Sequence, residues 1–199
     1  MPASGTLDRR DVVRALLADR GELLVVAGLG ASAWDITAAG DCPQNLPLWG
    51  GMGGAAMLGL GLALAQPKRR VLVITGDGEM LMGLGALCTI AVTKPANLSL
   101  VVLDNEHYSE TGGQETATRH GVDLAAIAKG AGIGDARTLH GMQEVAPLRD
   151  AIHAAGAPLF AVVKVAAGNH PLVLPPREGA HLTARFREAV LGPAAHHQL

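Results

Sequence analysis

The chain has 199 residues, among them 26 glycines, with 49 % hydrophobic, 17 % charged and 3 % aromatic residues and a formal net charge of −2. A half-apolar chain with so little net charge is not intrinsically disordered, and glycines without a three-residue period exclude collagen. The near-neutral balance excludes a dedicated nucleic-acid binder, which would carry a basic stripe. Cys42 and Cys88 form neither a CxxC pair nor a disulfide framework, and the first residues lack the apolar stretch of a signal peptide, so a cytoplasmic location is expected.

The pattern predicts a helix over 7–20, with Val12, Val13, Leu16 and Leu17 on one side. A buried strand is predicted over 23–27, then a glycine turn at Gly28 and Gly30 and a short helix over 32–38. Residues 41–46 read as loop. Residues 46–65 carry no charge and are long enough for a membrane span, but six glycines and Pro47 interrupt them. A buried loop followed by a helix over 54–65, apolar all round and buried on most faces, is expected instead, and no membrane partner.

The run Val71-Leu72-Val73-Ile74 marks a strand over 70–75, ending at Gly76-Asp77-Gly78, and one helix is expected over 79–92. A strand over 98–103 ends at Asp104-Asn105, and the polar stretch 106–121 reads as a functional loop. Helices are expected over 123–131, 144–155 and 184–190, and strands over 137–139 and 159–165. The alternation predicts an α/β fold: an open, mostly parallel sheet with helices on both faces, as a single domain over 1–199 with 168–199 as a C-terminal extension. Ligands in such sheets bind beyond the carboxyl ends of the strands, where 28–32, 76–79 and 104–109 all fall.

Gly28-x-Gly30-x-x-Ala33 matches the dinucleotide fingerprint, but no acidic residue ends a second strand ~20 positions on, so a tight turn is the better reading. Gly76-Asp77-Gly78 is stronger in context, because Asn105 ends another strand 28 positions after Asp77. A carboxylate and an amide oxygen at neighbouring strand ends suit a hard cation such as Mg²⁺, which takes one or two carboxylates and completes its shell with phosphate and water. The glycines and a following helix N-terminus suit a diphosphate.

Gly76-Asp77-Gly78-Glu79 followed by Asp104-Asn105 resembles the GDG…N signature of thiamine diphosphate-dependent enzymes. Leu48-Trp49-Gly50-Gly51-Met52-Gly53 resembles the segment that grips the aminopyrimidine ring in 2-oxoacid decarboxylases, and Gly30-Ala31-Ser32-Ala33-Trp34 an earlier turn of the same family. The stretch from Leu103 through His107-Tyr108 to Thr111-Gly112-Gly113-Gln114 is most similar to the sulfopyruvate and phosphonopyruvate decarboxylases.

The resemblance implies that the Asp77 carboxylate, the Asn105 side chain and the His107 carbonyl hold Mg²⁺. It implies that the Gly78 and Glu79 N–H groups, with Gly76, Tyr108 and Ser109, line the diphosphate. Gly30 and Ala31 would form the earlier cofactor turn, the Gly50 carbonyl would take the 4′-amino group, and Met52 would be the wedge that bends the cofactor. A His107 side chain acting as acid or base, and Glu110 tuning a substrate pocket, stay open, as does Glu106 where small residues are common. In this family the activating glutamate belongs to a pyrimidine-binding domain, for which the chain has no room. The implied assembly is a hetero-oligomer with a separate subunit that supplies that glutamate. The implied reaction is decarboxylation of a small 2-oxoacid to CO₂ and an aldehyde. The alternatives are half of an acetolactate-synthase-like carboligase, or a non-catalytic thiamine diphosphate-binding module.

Overall fold

The computed structural model describes residues 6–154, 156–168 and 170–196; the ends of the domain predicted over 1–199 lie outside them. In chain order the elements are α1 (Arg9–Leu16), β1 (Leu24–Ala27), α2 (Ala31–Ala38), β2 (Asn45–Pro47), α3 (Ala55–Ala65), β3 (Val71–Gly76), α4 (Asp77–Met82), α5 (Ala86–Thr93) and β4 (Leu98–Asp104). A small hairpin, β5 (His107–Tyr108) with β6 (Gln114–Glu115), precedes α6 (Leu124–Ala131), β7 (Asp135–Leu139), α7 (Val145–Ala154), β8 (Leu159–Lys164) and α8 (Gly179–Leu191).

Six strands pair in parallel in the order β2-β1-β3-β4-β8-β7. Their continuous apolar runs suit a sheet covered on both sides. Successive side chains along a strand point to opposite faces, so each strand feeds two cores. Val71, Val73, Leu98 and Leu100 pack with α3, α5, α6 and Phe186 of α8 on one face. Leu72, Ile74, Val101 and Val163 pack with α1, α2 and α7 on the other. The α/β architecture expected from the pattern is therefore present, and the stretch 168–196 is anchored through buried Leu182 and Phe186. Among the described residues no helix is long and apolar enough to cross a membrane.

Three local expectations need correction. The stretch 41–46 is not all loop, because β2 begins at Asn45; it is an edge strand, where Pro47 is tolerated without a ladder donor. The single helix expected over 79–92 is two helices, broken at Gly83-Leu84-Gly85. Gly83 abuts the Gly53 carbonyl so closely that a side chain there would overlap it, and the break seats α4 against the Gly50–Gly54 turn. Finally, α3 is not buried on most faces: Met57, Leu58 and Leu64 are 44 %, 38 % and 53 % exposed. Among the described residues only one side of that apolar helix has a partner.

The topology also fixes where a crevice can open. From β1 the chain crosses by α2 to β2 on one side, then returns by α3, on the opposite face, to β3 on the other. The strand order reverses between β1 and β3, which is where open α/β sheets bind ligands.

Candidate functional site

At that switch point lies a cleft with about 590 Å³ of empty space. The register pairs Gly76 with Leu103, so Asp77 and the Asp104-Asn105 pair leave neighbouring strands side by side. Ten of the twelve residues assigned to the cofactor or the cation line the cleft: Ala31, Met52, Gly76, Asp77, Gly78, Glu79, Asn105, His107, Tyr108 and Ser109. Gly30 (φ 82°) turns into α2 facing the Glu110 side chain, and Gly50 stands outside the lining.

Asp77 is 2 % exposed. Its Oδ2 accepts from Thr116 Oγ1 at 2.5 Å, with Thr118 Oγ1 at 3.3 Å. Burial pushes its carboxyl up to about 6, opposed by the Thr116 hydrogen bond and reinforced by the charge of Asp104. Asn105 is held in one orientation: its Nδ2 donates to Ser109 Oγ at 2.9 Å, and its Oδ1 accepts from the His107 N–H at 3.0 Å. The His107 ring packs back on its own loop, with Nδ1 2.8 Å from the Asn105 carbonyl, which makes Nδ1 the protonated nitrogen.

Glu79 turns its side chain into the protein. It is 6 % exposed, its Oε2 accepts from Thr75 Oγ1 at 2.7 Å, and its Oε1 has no hydrogen-bond partner within 3.5 Å among the described residues, the Gly53, Ala55 and Leu29 backbone being its nearest polar surroundings. Burial raises its carboxyl above the usual range against the Thr75 hydrogen bond. The carboxylate lies where a side chain at position 28 would go, so Gly28 lets it pass under the β1 turn. Gly78 does the same for the Tyr108 ring.

Residues that sequence reasoning missed complete the arrangement. Arg9 lines the cleft at 6 % exposure, donating through Nε to the fully buried Asp35 at 2.7 Å and through Nη1 to the Gly168 carbonyl. Its signal was an arginine on the apolar stripe of α1, in register with Val12, Val13 and Leu16. Behind Asn105, Lys164 at the end of β8 donates to Asp104 Oδ2 (2.9 Å) and Glu106 Oε1 (2.6 Å), and Arg119 reaches Glu106 Oε2 at 3.0 Å. Burial alone would raise the Glu106 carboxyl, but the two cations outweigh it and hold it below the usual range; the carboxylates likewise outweigh burial and raise Lys164.

The donor set fits a hard divalent cation with a diphosphate. One carboxylate and one amide oxygen stand together, and among the described residues no three His, Cys, Asp or Glu side chains gather as a metal site of their own. Gly76 faces open space in which a Cβ would touch nothing, as a cradle for a ligand requires.

Comparison with known proteins shows the family and the fold. The family described as thiamine pyrophosphate enzyme, C-terminal TPP binding domain, matches residues 33–165. The sulfopyruvate decarboxylase subunit beta of Methanothermobacter thermautotrophicus is 34 % identical over 186 residues, covering 94 % of this chain and 97 % of that one. The subunit of the same name from Methanocaldococcus jannaschii is 38 % identical over 137 residues, covering 68 % and 72 %. The phosphonopyruvate decarboxylase of Streptomyces viridochromogenes is 37 % identical over 179 residues, covering 86 % of this chain but 43 % of its own. Among solved structures, benzoylformate decarboxylase from Polynucleobacter necessarius superposes with a TM-score of 0.70 at 20 % identity, over 86 % of this chain and 35 % of that one, a likeness of fold. The chain belongs to the thiamine pyrophosphate enzymes, and what it carries is their TPP-binding domain.

Proposed function

We propose that the chain is the diphosphate-binding, beta-type subunit of a two-chain, Mg²⁺-dependent 2-oxoacid decarboxylase of the sulfopyruvate and phosphonopyruvate kind. The observation that carries the reading is the placement of Asp77 and Asn105 on adjacent strand ends beside the glycine turns of the switch point. Thiamine diphosphate, when bound, would supply the electron sink for the bonding pair left behind as a 2-oxoacid releases CO₂. The Asp77 carboxylate, the Asn105 Oδ1 and the His107 carbonyl would hold Mg²⁺ against the diphosphate. The N–H groups at the start of α4, from Gly78 and Glu79, would meet its remaining oxygens with Gly76, Tyr108 and Ser109 around them. Gly30 and Ala31 would close the near side. The Gly50 carbonyl and Met52 backbone would take the aminopyrimidine, with the Met52 side chain as the wedge beneath the cofactor.

A separate pyrimidine-binding subunit completes the site and brings the activating glutamate. Two observations support it. The apolar side chains of Met57, Leu58, Leu64, Met82 and Val92 stand exposed on α3–α5, Val92 by 85 %, and surfaces of that kind are covered in obligate assemblies. Relatives exist at two lengths: this chain spans nearly all of a subunit beta but less than half of the phosphonopyruvate decarboxylase. Free thiols at Cys42 and Cys88 support a reducing, cytoplasmic setting.

The test is co-expression with a pyrimidine-binding subunit, followed by CO₂ release from a panel of 2-oxoacids. The pair is expected to turn over at least one 2-oxoacid with thiamine diphosphate and Mg²⁺, and neither chain alone to do so. Full activity of this chain as a monomer, or no turnover by the pair across the panel, would sink the reading.

A further inference from the structure

Glu106 sits between two of the groups assigned to the cation, Asn105 and the His107 carbonyl, and its backbone is left-handed, with φ 65°. Apart from glycine, asparagine and aspartate, residues adopt that region at a cost and hold it only where surrounding contacts over-determine it. Here the contacts are on its side chain and its carbonyl. Lys164 and Arg119 each take one carboxylate oxygen, and the Glu106 carbonyl accepts from the Thr116 N–H at 2.9 Å.

Proton accounting separates the two neighbouring aspartates. Asp104 Oδ1 accepts from the Glu106 N–H at 3.0 Å and from Thr118 Oγ1 at 2.8 Å, while its Oδ2 takes Lys164. Thr118 Oγ1 lies 2.8 Å from both Asp104 Oδ1 and Thr116 Oγ1 and 3.3 Å from Asp77 Oδ2, so with the Thr116 proton on Asp77 its single hydroxyl proton goes to one of the two shorter contacts rather than to Asp77. Asp104 therefore has a protein donor on each oxygen, whereas both hydroxyl contacts to Asp77 fall on Oδ2. The pair divides into a structural carboxylate and one left to face the cleft, and Lys164 joins the structural one to the Glu106 carboxylate, beside the direct bond from the Glu106 N–H.

We propose that Lys164 is a positioning residue for the cation site: by clamping Asp104 and Glu106 together it imposes the left-handed turn that aims the Asn105 side chain and the His107 carbonyl at Asp77. The inference rests on the reading of those three residues as the cation's ligands. Electrostatics alone gives the opposite sign. Lys164 is a positive charge behind a cation site, so removing it would strengthen cation binding if charge were its whole role. Positioning makes its removal weaken binding.

The measurement is titration of Mn²⁺ into the full chain paired with its pyrimidine-binding subunit, in excess thiamine diphosphate, read by the loss of free Mn²⁺ signal in electron paramagnetic resonance, with thermal unfolding in parallel. Lys164→Met is expected to raise the half-saturating Mn²⁺ concentration at least about 10-fold, as loss of an outer-shell partner does, while Lys164→Arg stays near the wild type. Glu106→Gly keeps the left-handed backbone accessible without a side chain to clamp, and should weaken Mn²⁺ binding as Lys164→Met does; it serves if Lys164→Met does not fold. Unchanged or tighter Mn²⁺ binding in Lys164→Met, or wild-type binding in Glu106→Gly, would overturn the proposal. Absence of Mn²⁺ binding by the wild-type pair would instead overturn the ligand assignment beneath it.

Discussion

Replacing Asp77 with asparagine should abolish Mg²⁺-supported cofactor binding, weakening it by more than about 100-fold, and should at the same time stabilise the metal-free chain. The two effects have one cause. Asp77 is buried beside Asp104, and its carboxyl is pushed from 3.8 up to about 6 in the folded chain. The folded state therefore binds the Asp77 proton more tightly than the unfolded state. The associated stability is fully present below the unfolded value and is lost as pH rises through about 6. At neutral pH and above, the ionised group costs the metal-free fold about 2–3 kcal/mol, taking 1.36 kcal/mol per unit. Asparagine keeps the shape and removes the charge. Thermal melts in chelator should show the wild type gaining stability as pH falls through about 6 toward 3.8, and Asp77→Asn more stable at neutral pH and above with a flatter profile. Cofactor titration of the same protein should show no saturable Mg²⁺-dependent binding. A variant that melts lower than wild type at high pH, or that still binds cofactor, would remove Asp77 from the centre of the site.

Gly28→Ala is expected to destabilise the fold by about 1–3 kcal/mol, the range for forced overpacking. The new methyl would overlap the Glu79 carboxylate, which cannot retreat because it is buried and held by Thr75. Gly50→Ala is the control, since a Cβ there meets nothing within 4 Å. Denaturant midpoints should separate the two variants at unchanged m-value. Equal midpoints would mean that Glu79 does not occupy the space beneath the β1 turn.

The site's first ring of residues was legible because its signal is local. Val71-Leu72-Val73-Ile74 can only be a buried strand, and Gly76-Asp77-Gly78 ends it, so the position of Asp77 follows from counting. What holds that ring in place was not legible, because it is made across the fold. Lys164 meets Asp104 at a separation of 60 residues, and Thr116 meets Asp77 at 39. Neither contact leaves a spacing that a single chain can reveal, although a lysine flanked by Val163 and Val165 in an apolar run was a hint of a buried charge. The edge strand β2 escaped notice because three residues, one of them proline, carry no alternation. The break between α4 and α5 did have local signs in Gly83 and Gly85, but its cause, the Gly53 carbonyl against Gly83, is tertiary. The helix α3 was recognised from its composition, yet composition cannot say that one side of it stays uncovered.

The central claim is that Asp77 and Asn105 anchor a cation-bound thiamine diphosphate at the β1–β3 switch point. It is tested most directly by a crystal structure grown with thiamine diphosphate and Mn²⁺, with the metal located by its anomalous scattering. The account predicts one anomalous peak within coordination distance of the Asp77 carboxylate, the Asn105 Oδ1 and the His107 carbonyl, with the diphosphate against the start of α4. A peak elsewhere, or a diphosphate bound away from Asp77, would contradict it.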